Sequence, residues 1–170
     1  MTEVVEFDTD NPERVGSAVV FDINIDDEFL EIVGSEMKFS RLDNGAPGDL
    51  NGAWLMSARI RDGKKQGRDI SRPRKTMKIL SGTRFQWIAY NTETKKFMAT
   101  GGGTYTTLKG KYKENIEFFS RDNSKVGLNL EFDYEILIKT DDKKLVSQKN
   151  WYHKGFSSKG NPINEIWTQR

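Results

Sequence analysis

The sequence predicts an all-β protein in which an eight-stranded antiparallel up-and-down barrel follows a four-stranded partial repeat of the same unit. Three observations predict it. Apolar and polar residues alternate with period two, and β-branched and aromatic side chains fill the alternating positions. Turn-forming residues interrupt the alternation at short intervals, and no segment of ten or more residues carries a helical apolar stripe. Part of the chain also occurs twice: residues 5–25 (VEFDTDNPERVGSAVVFDINI) align without a gap on residues 116–136 (IEFFSRDNSKVGLNLEFDYEI). Seven positions are identical, namely Glu6/Glu117, Phe7/Phe118, Val15/Val126, Gly16/Gly127, Phe21/Phe132, Asp22/Asp133 and Ile25/Ile136.

The elements follow in order. Glu3 to Phe7, Ser17 to Ile25, Phe29 to Gly34 and Glu36 to Arg41 read as four strands matching the last four of a complete unit, so residues 1–42 form a partial, C-terminal-half repeat. Residues 43–49 (DNGAPGD) lack large apolar side chains and read as a linker. Residues 50–170 then hold a complete unit with strands at Ala53 to Ile60, Thr76 to Leu80, Arg84 to Tyr90, Phe97 to Thr106, Lys111 to Ser120, Val126 to Ile138, Leu145 to Lys154 and Ile163 to Gln169. Their turns, Ser81-Gly82, Asn91 to Thr94, Lys109-Gly110, Arg121 to Ser124 and Thr140 to Asp142, use residues that tolerate tight or left-handed backbone. Eight short strands joined this way favour closure, which removes the exposed edges of a flat sheet. The four N-terminal strands cannot close alone. They are expected to pack on the complete unit or to pair in another copy, giving a homodimer or an assembly with upstream repeat strands.

Composition narrows the function classes. Hydrophobic residues make up 35% and charged residues 31%, with 15 Gly and 4 Pro, which suits a folded domain and not a disordered one. A net charge of +2 gives no reason to expect nucleic acid. The absence of Cys excludes disulfides, thiolate metal sites and Cys nucleophiles, and a single His leaves no basis for a metal centre. Neither a cofactor nor a metal is expected. No apolar run reaches the roughly 20 residues needed to span a bilayer as a helix, and the acidic start MTEVVEFDTD lacks the pattern of a signal peptide.

Gly52-Ala53-Trp54 on the first strand of the complete unit, with Arg170 after the last, resembles the signature of lipocalins and their calycin relatives. That resemblance implies that the arginine covers the tryptophan at the closed end of the barrel. The segments LNGAW, KILSGTRFQWIAYNTETKKFMATGGGTYT, ENIEFFSRDNSKVG and WYHKGFSSKGNPINEIW are similar to the lipocalin-like domains of secreted or lipid-anchored bacterial proteins of unknown function. The resemblance covers residues 50–170, and residues 5–41 by way of the repeat. It implies a small barrel with a cavity and a periplasmic or extracellular location, and it brings no agreed catalytic residues.

Inward positions of a small barrel hold either core side chains or one small ligand. Trp54, Trp87, Tyr105, Phe118, Phe132, Tyr134 and Trp151 are candidates for lining a cavity, with core packing as the alternative use of each. Phe85, Trp87, Tyr105, Trp151 and His153 are the ligand-binding candidates within the barrel. His153 is also a candidate general base, with Glu117 or Asp133 to orient it, although a structural histidine is the commoner case. Glu117 and Asp133 recur as Glu6 and Asp22, which favours a structural role for both. Gly101-Gly102-Gly103 lies in a strand pattern with no helix after it, so a bend, bulge or close backbone approach is expected in place of a phosphate loop. Residues 61–75 carry seven basic and two acidic side chains and read as a loop over the barrel mouth, where Arg68 and Arg72 would meet an anionic ligand.

The expected function is therefore non-enzymatic binding of a small, partly apolar ligand, lipid-like and anionic types included. A filled barrel that assembles through strand pairing is the alternative. An enzyme using His153 with a carboxylate is the third.

Overall fold

A computed structural model describes residues 1–6, 8–43, 48–141 and 146–170. The end of the first expected strand at Phe7, the middle of the expected linker at 44–47, the turn residue Asp142 and the expected strand start at Leu145 lie outside the described residues.

Eight strands close into an antiparallel barrel. They are β6 (Gly52–Arg61), β8 (Arg74–Leu80), β9 (Arg84–Asn91), β10 (Lys96–Leu108), β11 (Lys111–Phe119), β12 (Asn129–Asp141), β13 (Val146–Phe156) and β14 (Pro162–Gln169), each hydrogen-bonded to the next. The circle closes where β14 pairs with β6, from Glu165 opposite Arg59 to Gln169 opposite Trp54. Closure leaves no free barrel edge.

One departure from the sequence reading is β7 (Lys64–Gly67), a ninth strand in the same sheet. The basic segment expected to be a loop begins as a hairpin: Asp62 and Gly63, at φ +51° and +69°, turn the chain so that Lys64–Gly67 pairs with Ala58–Arg61. Two consecutive left-handed residues with Gly second match the tight turn whose twist suits flanking strands. β6 thus gives its first half to β8 and its second half to β7.

The glycine triplet serves close approach. The β10–β11 register shifts between Gly102 and Gly103, and a Cβ at Gly103 would collide with the Asn115 carbonyl oxygen. At Gly101 a Cβ would lie 2.6 Å from Trp87 Nε1. The glycines let β10 bulge and bring Trp87 and Phe119 against its backbone.

Preceding the barrel are five short strands, β1 (Thr2–Val4), β2 (Ala18–Val20), β3 (Ile23–Ile25), β4 (Phe29–Ile32) and β5 (Lys38–Ser40), in two small sheets, β1-β2 and β3-β4-β5. Four were expected. The expected strand from Ser17 to Ile25 is divided at Phe21 and Asp22, whereas β12 runs through the aligned residues without a break. In the repeated segments the local geometry coincides. Thr2 pairs with Val20 as Lys113 pairs with Glu131, and single 3-10 turns occupy Pro12–Arg14 and Asn123–Lys125. Gly16 and Gly127 adopt φ +91° and +86°. The shared Val-Gly pair therefore supplies the left-handed residue that leaves each turn.

No described N-terminal strand pairs with a barrel strand. The segment is held by polar contacts. Glu6 accepts hydrogen bonds from Tyr90 Oη at 2.7 Å and Arg170 Nη2 at 2.9 Å. Asp43 accepts from Ser81 Oγ, from Thr83 N at 3.1 Å and from Thr83 Oγ1 at 3.0 Å.

Candidate functional site

One end of the barrel is plugged. Leu50 and Trp54 are fully buried there, and Trp54 Nε1 donates to the Leu50 carbonyl at 2.7 Å. Tyr105 belongs to the same plug and donates to the Ser81 carbonyl at 2.6 Å. The resemblance implied that Arg170 covers Trp54; the cation over that ring is Lys149, 5.8 Å from its centroid, and the Arg170 guanidinium is turned to Glu6. Gly52, at φ +120°, starts β6 with backbone that a side chain rarely adopts.

The middle of the barrel is aromatic. Trp151 stacks on Trp167 at 5.9 Å and meets Trp54 edge-on at 5.8 Å, while Tyr112 contacts Phe85, Tyr105, Phe132 and Trp151. Into this cluster the strand alternation sends charges. Lys78 follows Thr76 and precedes Leu80 on the inward face of β8, and Glu114 lies between the inward residues Tyr112 and Ile116 of β11. Their ion pair measures 2.6 Å from Nζ to Oε1, with each side chain 6% exposed. Lys78 Nζ also sits 5.0 to 5.5 Å from the centroids of Phe85, Tyr112, Trp151 and Trp167. Ring quadrupoles on several sides and one carboxylate together replace the water this ammonium has lost.

Above that layer, towards the end formed by the β13–β14 turn, the barrel is open. A cavity of about 210 Å³ is walled by Met56, Trp87, Ile116, Phe119, Leu130 and Phe132, with Lys78, Glu114, His153, Glu165 and Trp167 also facing it. A polar groove of about 450 Å³, lined by Arg59, Arg61, Asn161 and Asn164, adjoins it, and Ser157, Ile163 and Glu165 border both.

His153 is inside the barrel, against Phe132 with ring centroids 4.0 Å apart. Its nearest carboxylate partner is neither Glu117 nor Asp133. Both of those lie on the outer surface, bonded to Arg84 at 2.8 Å and Lys111 at 2.6 Å. The inward residues are Leu130 and Phe132 on β12 and Tyr112, Glu114 and Ile116 on β11, so Asp133 and Glu117, each one residue after an inward one, point outward. Glu165 Oε2 lies 3.9 Å from His153 Nδ1, and Glu165 Oε1 lies 3.3 Å from Arg59 Nε. Burial, and next the Lys78 charge, push the imidazole below its ordinary value, so the ring is neutral at pH 7. Burial alone would raise Glu165; contacts with His153, Arg59 and Lys78 outweigh it and hold the carboxyl low. Tyr112 is driven up, by burial first and then by the Glu114 charge.

The remaining sequence candidates scatter. Trp87 and His153 line the cavity. Arg68 reaches its rim, with Nη1 3.7 Å from Met56 Sδ and 3.3 Å from Thr76 Oγ1, and burial, followed by Arg74 and Arg59, lowers its pKa. Trp151 lies beneath the cavity floor against His153, at 5.1 Å. Phe85 and Tyr105 belong to the core on the plugged side, and Arg72 is exposed beside Asp69 at 4.0 Å. Sequence reasoning missed Lys78, Glu114, Glu165 and Trp167. A signal was present for the three charges: each occupies the inward phase of an otherwise apolar alternation.

Among the described residues no helix is long and apolar enough to cross a membrane. No curated protein matches the chain. Residues 49–169, which span all eight barrel strands, match a family described as a domain of unknown function, DUF4488, and the chain belongs to that family.

Proposed function

We propose that this protein is a lipocalin-like, non-enzymatic binding module that holds a small, partly apolar ligand in the open half of its barrel. The observation that supports this reading is the cavity: apolar walls with a few charged and polar groups at the bottom, the usual make-up of a ligand site. At about 210 Å³ it lies below the ~300–1,000 Å³ of typical drug-sized sites, so the ligand is small. Arg68 at the rim and Arg61, Lys64 and Lys65 on the hairpin favour a ligand whose outer end is anionic. Native mass spectrometry of protein purified from its own host tests the reading. A retained mass of a small organic molecule, lost in Trp87→Ala, is expected; ligand-free protein that gains nothing on incubation with a host extract would sink it.

A second reading, assembly through strand pairing, is favoured by the N-terminal sheets. Val4, Val20, Ile25 and Phe39 are more than half exposed there. The outer edges of β1 and β5 pair with no described strand. Pairing β5 of each copy with β1 of the other, about a two-fold axis, would cover both edges. Light scattering of the intact chain should then give twice 19.5 kDa, and a concentration-independent 19.5 kDa would reject it.

A further inference from the structure

Among the described residues, five buried polar atoms in the barrel have no hydrogen-bond partner: Tyr112 Oη, Trp151 Nε1, Trp167 Nε1, and Nδ1 and Nε2 of His153. They are neighbours, since Trp151 stacks on Trp167 and His153 contacts both Trp151 and Tyr112. Natively buried polar groups are nearly always bonded, and leaving one unpaired costs about 1–3 kcal/mol. Five in one cluster therefore mark a place built to meet something. Trp167 and His153, each 2% exposed, face the cavity, whereas Tyr112 and Trp151 lie one layer deeper.

The inventory specifies what they would meet. Indole and phenol N–H and O–H groups donate, and a neutral imidazole adds one donor and one acceptor. The charges are already matched: Lys78 holds Glu114, and Arg59 holds Glu165. A ligand carboxylate at this depth would be a third anion beside Glu114 and Glu165, and among the described residues lining the cavity no free cation would receive it; like charges in a buried site disfavour ionisation. Apolar walls and a surplus of neutral donors suit an uncharged acceptor on an apolar body. The volume admits roughly seven water-sized groups at about 30 Å³ each.

We infer that the cavity, read as a ligand site above, selects an uncharged carbonyl-type acceptor, bonded by Trp167 Nε1 and His153 at its floor. Any negative charge on the ligand stays at the rim. The inference rests on the barrel-binding reading and is tested apart from it with three probes of one shape: acetophenone, benzoate and ethylbenzene. The chain has four Trp and one His, so the indole N–H resonances form a short, assignable set. Acetophenone should bind saturably, shift the Trp167 indole N–H downfield and bind roughly three- to tenfold more tightly than ethylbenzene. Trp167→Phe and His153→Phe should each bring the ratio of acetophenone to ethylbenzene affinity, taken within the same variant, close to one, and circular dichroism of each variant shows that it folds. A ratio unchanged from wild type in both overturns the acceptor site. Equal affinity for acetophenone and ethylbenzene leaves the cavity reading standing and overturns the acceptor site, with water serving the donors. Benzoate binding as tightly as acetophenone with the same Trp167 shift overturns its neutrality. No saturable binding by any of the three overturns both readings.

Discussion

Lys78 Nζ and Glu114 Oε1 lie 2.6 Å apart in the centre of the barrel, where four aromatic rings surround the ammonium. Such a pair gives back in Coulomb energy and hydrogen bonding much of what it lost in desolvation, so its value shows only when one member is removed. Lys78→Met or Glu114→Leu alone should destabilise by about 3–5 kcal/mol, each leaving one buried charge uncompensated. The double variant should recover most of that loss in urea unfolding. Additive single effects would mean that the two groups do not act as a pair.

The pH dependence of stability has a definite sign. The His153 ring is held below its ordinary value of 6.5, so in the window beneath 6.5 the unfolded chain binds a proton that the folded chain declines. Stability is complete above that window and falls as pH drops through it. Glu165, held below its ordinary 4.5, adds a further loss at lower pH, as the folded carboxyl takes its proton. Urea midpoints at pH 7.5 and 5.5 should differ, and His153→Gln should narrow the difference. A wild-type midpoint unchanged across this range would contradict a neutral buried imidazole.

Two glycines separate close approach from backbone conformation. At Gly103 an added Cβ strikes the Asn115 carbonyl and lies 2.8 Å from Glu117 N, whereas at Gly127 it meets nothing within 4 Å and only φ +86° resists. Gly103→Ala should cost about 1–3 kcal/mol or more through forced movement of β11. Gly127→Ala should cost about 1–2 kcal/mol, the penalty of a left-handed residue. Thermal unfolding of both variants checks the order, and a smaller cost at Gly103 would show that the bulge relaxes.

Glu6 bridges Tyr90 on β9 and Arg170 after β14, and so fastens the N-terminal segment to the barrel. The Arg170 contact is partly exposed, and such ion pairs are worth about 0.2–1 kcal/mol. Glu6→Gln should barely move the barrel's unfolding midpoint but should speed limited proteolysis between residues 8 and 43. Unchanged cleavage would place the attachment at Asp43 instead.

Much of the barrel was legible because alternation and turn chemistry are local. The turn after Phe119 was legible from Arg121 to Ser124, residues that tolerate tight backbone, whereas a closed end at Trp54 was only what the resemblance implied. The basic segment was misread in part: Asp62-Gly63 is a two-residue hairpin signal between Arg61 and Lys64, but the strands it joins lack the apolar alternation that marks a half-buried strand. His153 was found as the sole histidine, yet its nearest carboxylate, Glu165, was not. The two face each other across β13 and β14, in a register that only strand pairing fixes, with His153 opposite Glu165.

The sequence by itself determined the fold class, the eight strands of the barrel and the turns at Ser81-Gly82, Asn91 to Thr94, Lys109-Gly110 and Arg121 to Ser124, since these follow from side-chain periodicity and from residues that tolerate tight or left-handed backbone. Thr140 and Asp141, expected in a turn, belong instead to β12. Tertiary structure alone decided where the charges meet. Lys78 reaches Glu114 from three strands away, and Glu117 and Asp133 turn outward while Glu165 turns in. Closure of the barrel selects which face of every strand is enclosed, and a one-residue change of phase exchanges a surface carboxylate for one in the cavity.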